Sequence, residues 1–439
     1  MGRTAIVSGM VLSLTASCGG VGNTNLLGDS STDSTTDAGT HPKPDAGPSH
    51  PDASKHPDSS KQPDSSMHPD SGTPPDSGMP TDSGMPTDGS SGKDVGPLTC
   101  DGGQKACSGH CVDTTNDPKN CGGCGVPCAT TCTAGICPLF GPDSGAAPIV
   151  GDFACLTVDA TNVYWGTGFP AASGGGGWKV PIAGGAPALL IGAQDEPHGM
   201  ASDGTTLFYA NKGALAGTGA IEAIPIGGSV ATPIAIAQSS PLSVAVDASN
   251  VYWANGGDGS IWKSDKKVPS PIKLAGPNGL NHASNLVIDG TDVYWTDTTT
   301  GVVNRVPIAG GSTTTMTTTG LNATFLAVDS KNVYFDHFGA SPGISSVGLA
   351  AVGATPSTVL SGLASSAGLQ TDGVDLWFAV PSNVTPYMTG TGEIHRSTVA
   401  GSSDTILASK QNGPSCISVD ATSVYWIDTF GGLISKTGK

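Results

Sequence analysis

The sequence of 439 residues is poor in charge, and poorer still in basic charge. Only 13% of residues are charged, and 19 Lys and Arg face 36 Asp and Glu, giving a net charge of −17. A nucleic-acid partner needs a basic patch, so this balance argues against one. No apolar run after the N-terminal stretch approaches the ~18 residues of a membrane-spanning helix. The nucleophile elbow, HExxH pair, P-loop and dinucleotide fingerprint are also missing, and with them the chemistries those motifs carry. Abundant instead are Gly, at 64, and Ser and Thr, which suit an exported all-β chain.

Residues 1–17 open with Arg3 and continue as a short, mostly apolar run from Ala5 to Ala16. This reads as a signal peptide, too short to span a bilayer. It ends in Leu14-Thr15-Ala16-Ser17-Cys18, which resembles a bacterial lipobox. The resemblance implies lipid on Cys18 and an exported cell-envelope protein at the outer membrane or cell surface, with the lipid as its only membrane contact.

Residues 18–98 repeat units such as HPDSS, QPDSS and MPTDSG. Pro fixes φ and removes donors, Asp repels Asp, and little is available to bury. A disordered tether is expected here, and it holds much of the acidity. Residues 99–138 then carry Cys100, Cys107, Cys111, Cys121, Cys124, Cys128, Cys132 and Cys137. So small a segment cannot fold on apolar burial alone, so four disulfides are expected. The spacing leaves their connectivity open, and no second CxxC or paired His supports a zinc reading. The run from Asp117-Pro118 through Asn120-Cys121-Gly122 and Cys124-Gly125 to Cys128 resembles the cysteine-rich module of secreted plant stigma-specific proteins. That resemblance implies a secreted disulfide module and no activity.

Residues 145–439 are a repeat. Seven copies read VDATNVYW, SDGTTLFY, VDASNVYW, IDGTDVYW, VDSKNVYF, TDGVDLWF and VDATSVYW. Their marker aspartates are Asp159, Asp203, Asp247, Asp289, Asp329, Asp372 and Asp420. A period in the low forties with strand-like patterning predicts a seven-bladed β-propeller, four strands to a blade. The fourth copy gives strands at 286–289, 292–297, 301–309 and 312–319, with a hairpin at Gly310-Gly311 that Gly184-Gly185 and Gly227-Gly228 repeat. Adjacent residues of a strand face opposite ways. An aromatic pair in every copy therefore predicts packing against both neighbouring blades rather than sugar stacking. The aspartates are expected to cap the turn that follows them. The motif Tyr294-Trp295-Thr296-Asp297 resembles the YWTD propeller of the low-density lipoprotein receptor family, which implies the fold and a habit of binding extracellular proteins. That family has six blades, so its ligand sites do not transfer.

Two closures of the ring are expected. The segment 147–150 would supply the last strand of blade 7, and Cys155 and Cys416, at equivalent positions, would bridge the seam. Function is sought where the repeats differ. Connections 166–177, 210–220 and 379–393 are long, and the last carries Tyr387 and Met388 as binding anchors. Glu196, His198, His282 and His337 are placed on the same face. The leading expectation is a binding module for an extracellular protein or glycan, with no cofactor. The alternatives are a metal-assisted lyase or lactonase at the channel mouth, or a structural envelope protein.

Overall fold

The computed structural model describes residues 99–140, 156–167, 175–215, 217–276, 282–317, 322–337, 342–363, 366–381 and 390–439. The expected signal peptide and tether, Cys18, Cys155, segment 147–150, Tyr387 and Met388 lie outside them. The described chain is all β: seven four-stranded antiparallel sheets and one two-stranded hairpin. Strands are lettered a to d from the axis outward. In blade 4 they are Ala283–Ile288, Asp292–Asp297, Val302–Pro307 and Thr314–Thr315. Each inner strand meets the inner strand on either side, and the seventh returns to the first, so the ring is closed.

The repeat explains the blade. All fourteen paired aromatics are buried. Trp295 packs with Ala254, Ile261 and Leu274 of blade 3, and Tyr294 packs with Leu326 and Phe335 of blade 5. Each aromatic removes roughly 150–250 Å² from water, which makes the seams the main apolar store of the fold.

Each marker Asp accepts two backbone N–H groups of the turn that follows, as Asp289 does from Thr291 at 2.8 Å and Asp292 at 2.9 Å. Its second oxygen takes a phenol where the first aromatic is Tyr, as in Tyr294 to Asp289 at 2.8 Å. Blades 2 and 6 have Phe208 and Trp377 there. In blade 2, Lys266 from blade 3 lies over the Phe208 ring and bonds Asp203 at 2.8 Å. In blade 6, Lys439 from blade 7 lies over Trp377 and pairs with Asp372 at 3.6 Å. A lysine from the following blade thus stands in for each missing phenol.

Turn chemistry departs from expectation at one hairpin. Gly184, Gly185, Gly310 and Gly311 have φ of 92°, 135°, 90° and 143°, where a side chain would be strained. Gly227 and Gly228 are not among the positive-φ residues, although Gly228 N still bonds Pro225 O at 2.8 Å.

Blade 7 corrects the expected closure. Its strands a to c are Pro414–Val419, Ser423–Asp428 and Leu433–Gly438, and its outer strand is Cys137–Pro138. Cys137 pairs with Lys436 and Pro138 with Ser435. The end of the cysteine-rich segment therefore holds the edge assigned above to 147–150. The clasp extends further: Leu139 N bonds Ile434 O, Gly185 N bonds Leu139 O, and Phe140 stacks on Trp165 of blade 1 at 5.2 Å. Four disulfides join Cys100 to Cys111, Cys107 to Cys124, Cys121 to Cys132 and Cys128 to Cys137. The last two pack with Leu139, Tyr425 and Ile434, so the segment shares its core with blades 7 and 1. Cys416 lies in the inner strand of blade 7, and its expected partner Cys155 is outside the described residues.

Seams carry polar ties of two kinds. Gln194, Gln238 and Gln411 end the outer strands of blades 1, 2 and 6, and each reaches into the next blade. Gln238 Oε1 accepts from Trp253 Nε1 at 2.8 Å and Asn255 Nδ2 at 3.1 Å. Gln194 Oε1 accepts from Tyr209 and Asn211, and Gln411 Oε1 from Trp426. The other kind sits near the axis. Leu286 N donates to Ser243 Oγ, Leu326 N to Asn285 Oδ1, Thr296 Oγ1 to Thr324 O and Ser366 Oγ to Asp336 Oδ2. These cross seams 3/4, 4/5 and 5/6.

Candidate binding face

The face where strands d lead into strands a, and strands b into strands c, carries Glu196, His198, His282 and His337. Its b–c connections run 168–174, 212–218 and 381–391 in blades 1, 2 and 6. The remaining blades use 256–260, 298–301, 338–342 and 429–432. The difference follows from one turn. In blades 3, 4 and 7 the N–H of Gly259, Gly301 or Gly432 bonds back to the carbonyl of Asn255, Asp297 or Asp428. Gly301 has φ of 69°, and a Cβ there would strike Asn322 N at 2.4 Å. Blades 1, 2 and 6 have longer chain between the same two strands.

The four titratable candidates in the described chain are spread over three blades. Glu196 and His198 stand at the entry to blade 2, where Glu196 adopts φ of 55°. Lys212 Nζ lies 2.6 Å from Glu196 Oε2, and His198 Nε2 lies 3.9 Å from the same oxygen. His198 and Lys212 beside it, opposed by burial, hold the Glu196 carboxyl down to about 2. His198 is buried, and burial pushes its imidazole down while Glu196 pulls the other way. His282, exposed, precedes the inner strand of blade 4, and its carbonyl accepts from Thr298 N. His337 ends strand b of blade 5 with Nε2 2.9 Å from Ser345 Oγ, and burial pushes it down. Among the described residues no group of three His, Cys, Asp or Glu side chains is arranged to hold a metal ion.

Asp336 precedes His337 in sequence and is fully buried. Its carboxylate accepts from Thr324 N, Thr324 Oγ1, Phe325 N and Ser366 Oγ. Burial outweighs those bonds and pushes the acid up to about 6. Asp336 thus ties strand a of blade 5 to the entry of blade 6.

Sequence reasoning missed three features of this region. His395 of blade 6 is buried between Asp404, 3.0 Å from Nδ1, and Glu393, 3.1 Å from Nε2, and stacks on Phe378 at 5.0 Å. No motif announces it, because Asp404 and Glu393 sit on different strands. Leu215 and Phe430, on the b–c connections of blades 2 and 7, are 71% and 61% exposed. The ring of Phe430 lies against Gly413, where a Cβ would meet Cδ2 at 2.5 Å. The glutamine ties did leave a signal: Gln194, Gln238 and Gln411 each precede, by three residues, the proline that opens the next blade.

No family model matches the chain, and no curated protein matches it. Solved structures do. A catalytically inactive virginiamycin B lyase from Staphylococcus aureus, with quinupristin, is similar at 14% identity and a TM-score of 0.53, over 69% of this chain and 99% of that one. A streptogramin B lyase gives 13% and 0.52, over 66% of this chain and 94% of that one. A chain of a nidogen/laminin complex gives 21% and 0.38, over 45% of this chain and 76% of that one. At these identities the two lyases share the propeller fold with this chain, and nothing about its chemistry follows.

Proposed function

We propose that this is an exported lipoprotein of the cell envelope, anchored through Cys18, whose propeller binds an extracellular protein or glycan without catalysis. The observation that carries the reading is the pair of exposed apolar side chains, Leu215 and Phe430, on the b–c face. Apolar and aromatic side chains standing out of a polar rim are what a recognition surface presents. Glu196, His337 and Asp336 support it, since each already has a protein partner. The longest b–c connection, 381–391, carries Tyr387 and Met388, which lie outside the described residues.

The test is adsorption of purified protein to intact cells. Phe430→Ala, Leu215→Ala and Tyr387→Ala are expected each to weaken binding about tenfold, as for anchors worth ~1.4 kcal/mol. Unchanged binding in all three, together with a stoichiometric divalent metal, would move the reading to a metal-assisted lyase or lactonase. Unchanged binding without metal would leave the structural envelope role.

A further inference from the structure

The turns between strands c and d share one character, except in blade 3. In blades 1, 2, 4, 5 and 6 they read IAGGAP, IGGSVA, IAGGST, LAAVGATP and VAGSS, without a Lys or Arg. In blade 3 the two strands are Ile261–Asp265 and Ile272–Ala275, and the turn reads KKVPSP. From Lys263 to Lys273 there are four Lys and one Asp, in a chain whose net charge is −17.

This turn is held in shape from within. Lys267 N and Val268 N both donate to Asp265 Oδ1, at 2.7 and 2.8 Å, and Ser270 N donates to Ser264 Oγ at 2.8 Å. Pro269 and Pro271 fix φ on either side of Ser270. Every residue from Lys267 to Lys273 is nonetheless exposed, with Val268 at 74% and Ile272 at 52%. The lysines divide into two kinds. Lys263 Nζ donates to Ile308 O at 2.7 Å and Lys266 Nζ to Asp203 Oδ2 at 2.8 Å, so both are engaged within the ring. Lys267 and Lys273 are exposed, and Lys273 lies over the Trp262 ring at 5.0 Å. An ordered tip therefore presents two cations beside two protruding apolar side chains.

Cations beside apolar groups match anionic headgroups lying over hydrocarbon. Lys is drawn to an anionic lipid surface, and apolar side chains enter the boundary between headgroups and acyl chains. A protein partner would cover about 800 Å² on each side, more than one turn offers, whereas a bilayer needs only the tip. We infer that the c–d turn of blade 3 docks the propeller on an anionic lipid bilayer, with Val268 and Ile272 in the interface and Lys267 and Lys273 on the headgroups. The contact is weak alone, and it rests on the lipid-anchored reading, in which the anchor keeps the bilayer at high effective concentration.

Vesicle cosedimentation tests it on the full chain carrying Cys18→Ala, so that no acyl chain contributes. Phosphatidylglycerol vesicles are expected to bind at least tenfold more tightly than phosphatidylcholine vesicles, and ~1 M salt to remove most of that difference. Lys267→Ala with Lys273→Ala is expected to weaken anionic binding about thirtyfold. Val268→Ser with Ile272→Ser is expected to weaken it about tenfold. Phe430→Ala, on the opposite face, is expected to leave it unchanged. No binding to either vesicle, equal binding to both, or binding that both double variants retain would overturn the inference. Cell adsorption lost with the lysines, from a parent that binds no vesicle, would overturn it in favour of an acidic protein. Failure of the anchored reading shows separately, as membrane retention of the parent that Cys18→Ala leaves unaltered.

Discussion

The two arcs of the ring solve one problem by different chemistry. Seams 1/2, 2/3 and 6/7 are tied by a glutamine from the outer strand, far from the axis. Seams 3/4, 4/5 and 5/6 are tied near the axis, by Ser243, Asn285, Thr296 and Asp336. At seams 4/5 and 5/6 one position marks the switch. After the aromatic pair, blades 4 and 5 carry Thr296 and Asp336, where blades 1, 2, 3, 6 and 7 carry Gly166, Ala210, Ala254, Ala379 and Ile427. A polar residue there reaches the entry of the next inner strand, and a small or apolar residue cannot. The aromatic stacking common to all seams sets the architecture, and each polar tie settles which buried donors find acceptors. Seam 7/1 belongs to neither arc, since it is closed by the cysteine clasp.

The largest effect is expected at that odd seam. Cys128→Ser with Cys137→Ser removes the bridge behind the outer strand of blade 7, and a loss of about 2–5 kcal/mol is expected in denaturant unfolding. A variant as stable as the parent would show that strand pairing and Phe140 close the ring unaided. Next comes the comparison of arcs. Gln238→Leu leaves Trp253 Nε1 buried without an acceptor and leaves Asn255 Nδ2 only Ser260 Oγ, for an expected loss of about 1–3 kcal/mol. Trp295→Phe, at a seam whose indole N–H already lacks a protein partner, is expected to cost under ~1 kcal/mol. Equal costs would break the distinction.

Last comes a pH dependence that Asp336 brings to the axial arc. Asp336 in the fold is pushed up to about 6 from an ordinary 3.8. The folded state therefore holds a proton that the unfolded chain has released. The stability linked to it is full below pH 3.8 and is lost as pH rises through 6. Between pH ~4.5 and ~6 the parent is expected to lose about 1–2 kcal/mol that Asp336→Asn does not. Parallel pH profiles from chemical unfolding would refute it.

The fold was legible because it is written seven times. Strand b of blade 4 was read as 292–297 and is Asp292–Asp297, and the aspartate turns form as residue chemistry requires. Closure was not legible. Cys137–Pro138 is a strand of two residues with no periodicity, and its cysteine pointed to a disulfide rather than a sheet edge. The lysines that replace phenols at Phe208 and Trp377 were hidden for a related reason, because each comes from the following blade. At the candidate face the sequence located long connections but not exposure, so Leu215 and Phe430 went unnoticed. His198, His282 and His337 share a face without sharing a site. A list of residue types contains no distances.

The blade that joins Cys137–Pro138 to Leu433–Gly438 also sets the order of assembly. Six blades are built from contiguous chain and can form as synthesis delivers them. The seventh cannot: its outer strand is made first and its other three last. Bringing together ends separated by nearly the whole propeller carries a large loop-closure entropy, and distant contacts of this kind slow folding. Until that late encounter, Trp165 of blade 1 has no blade 7 to cover it. The nascent molecule is thus an open arc with a sticky end, most exposed to misassembly in the interval before its final strand arrives.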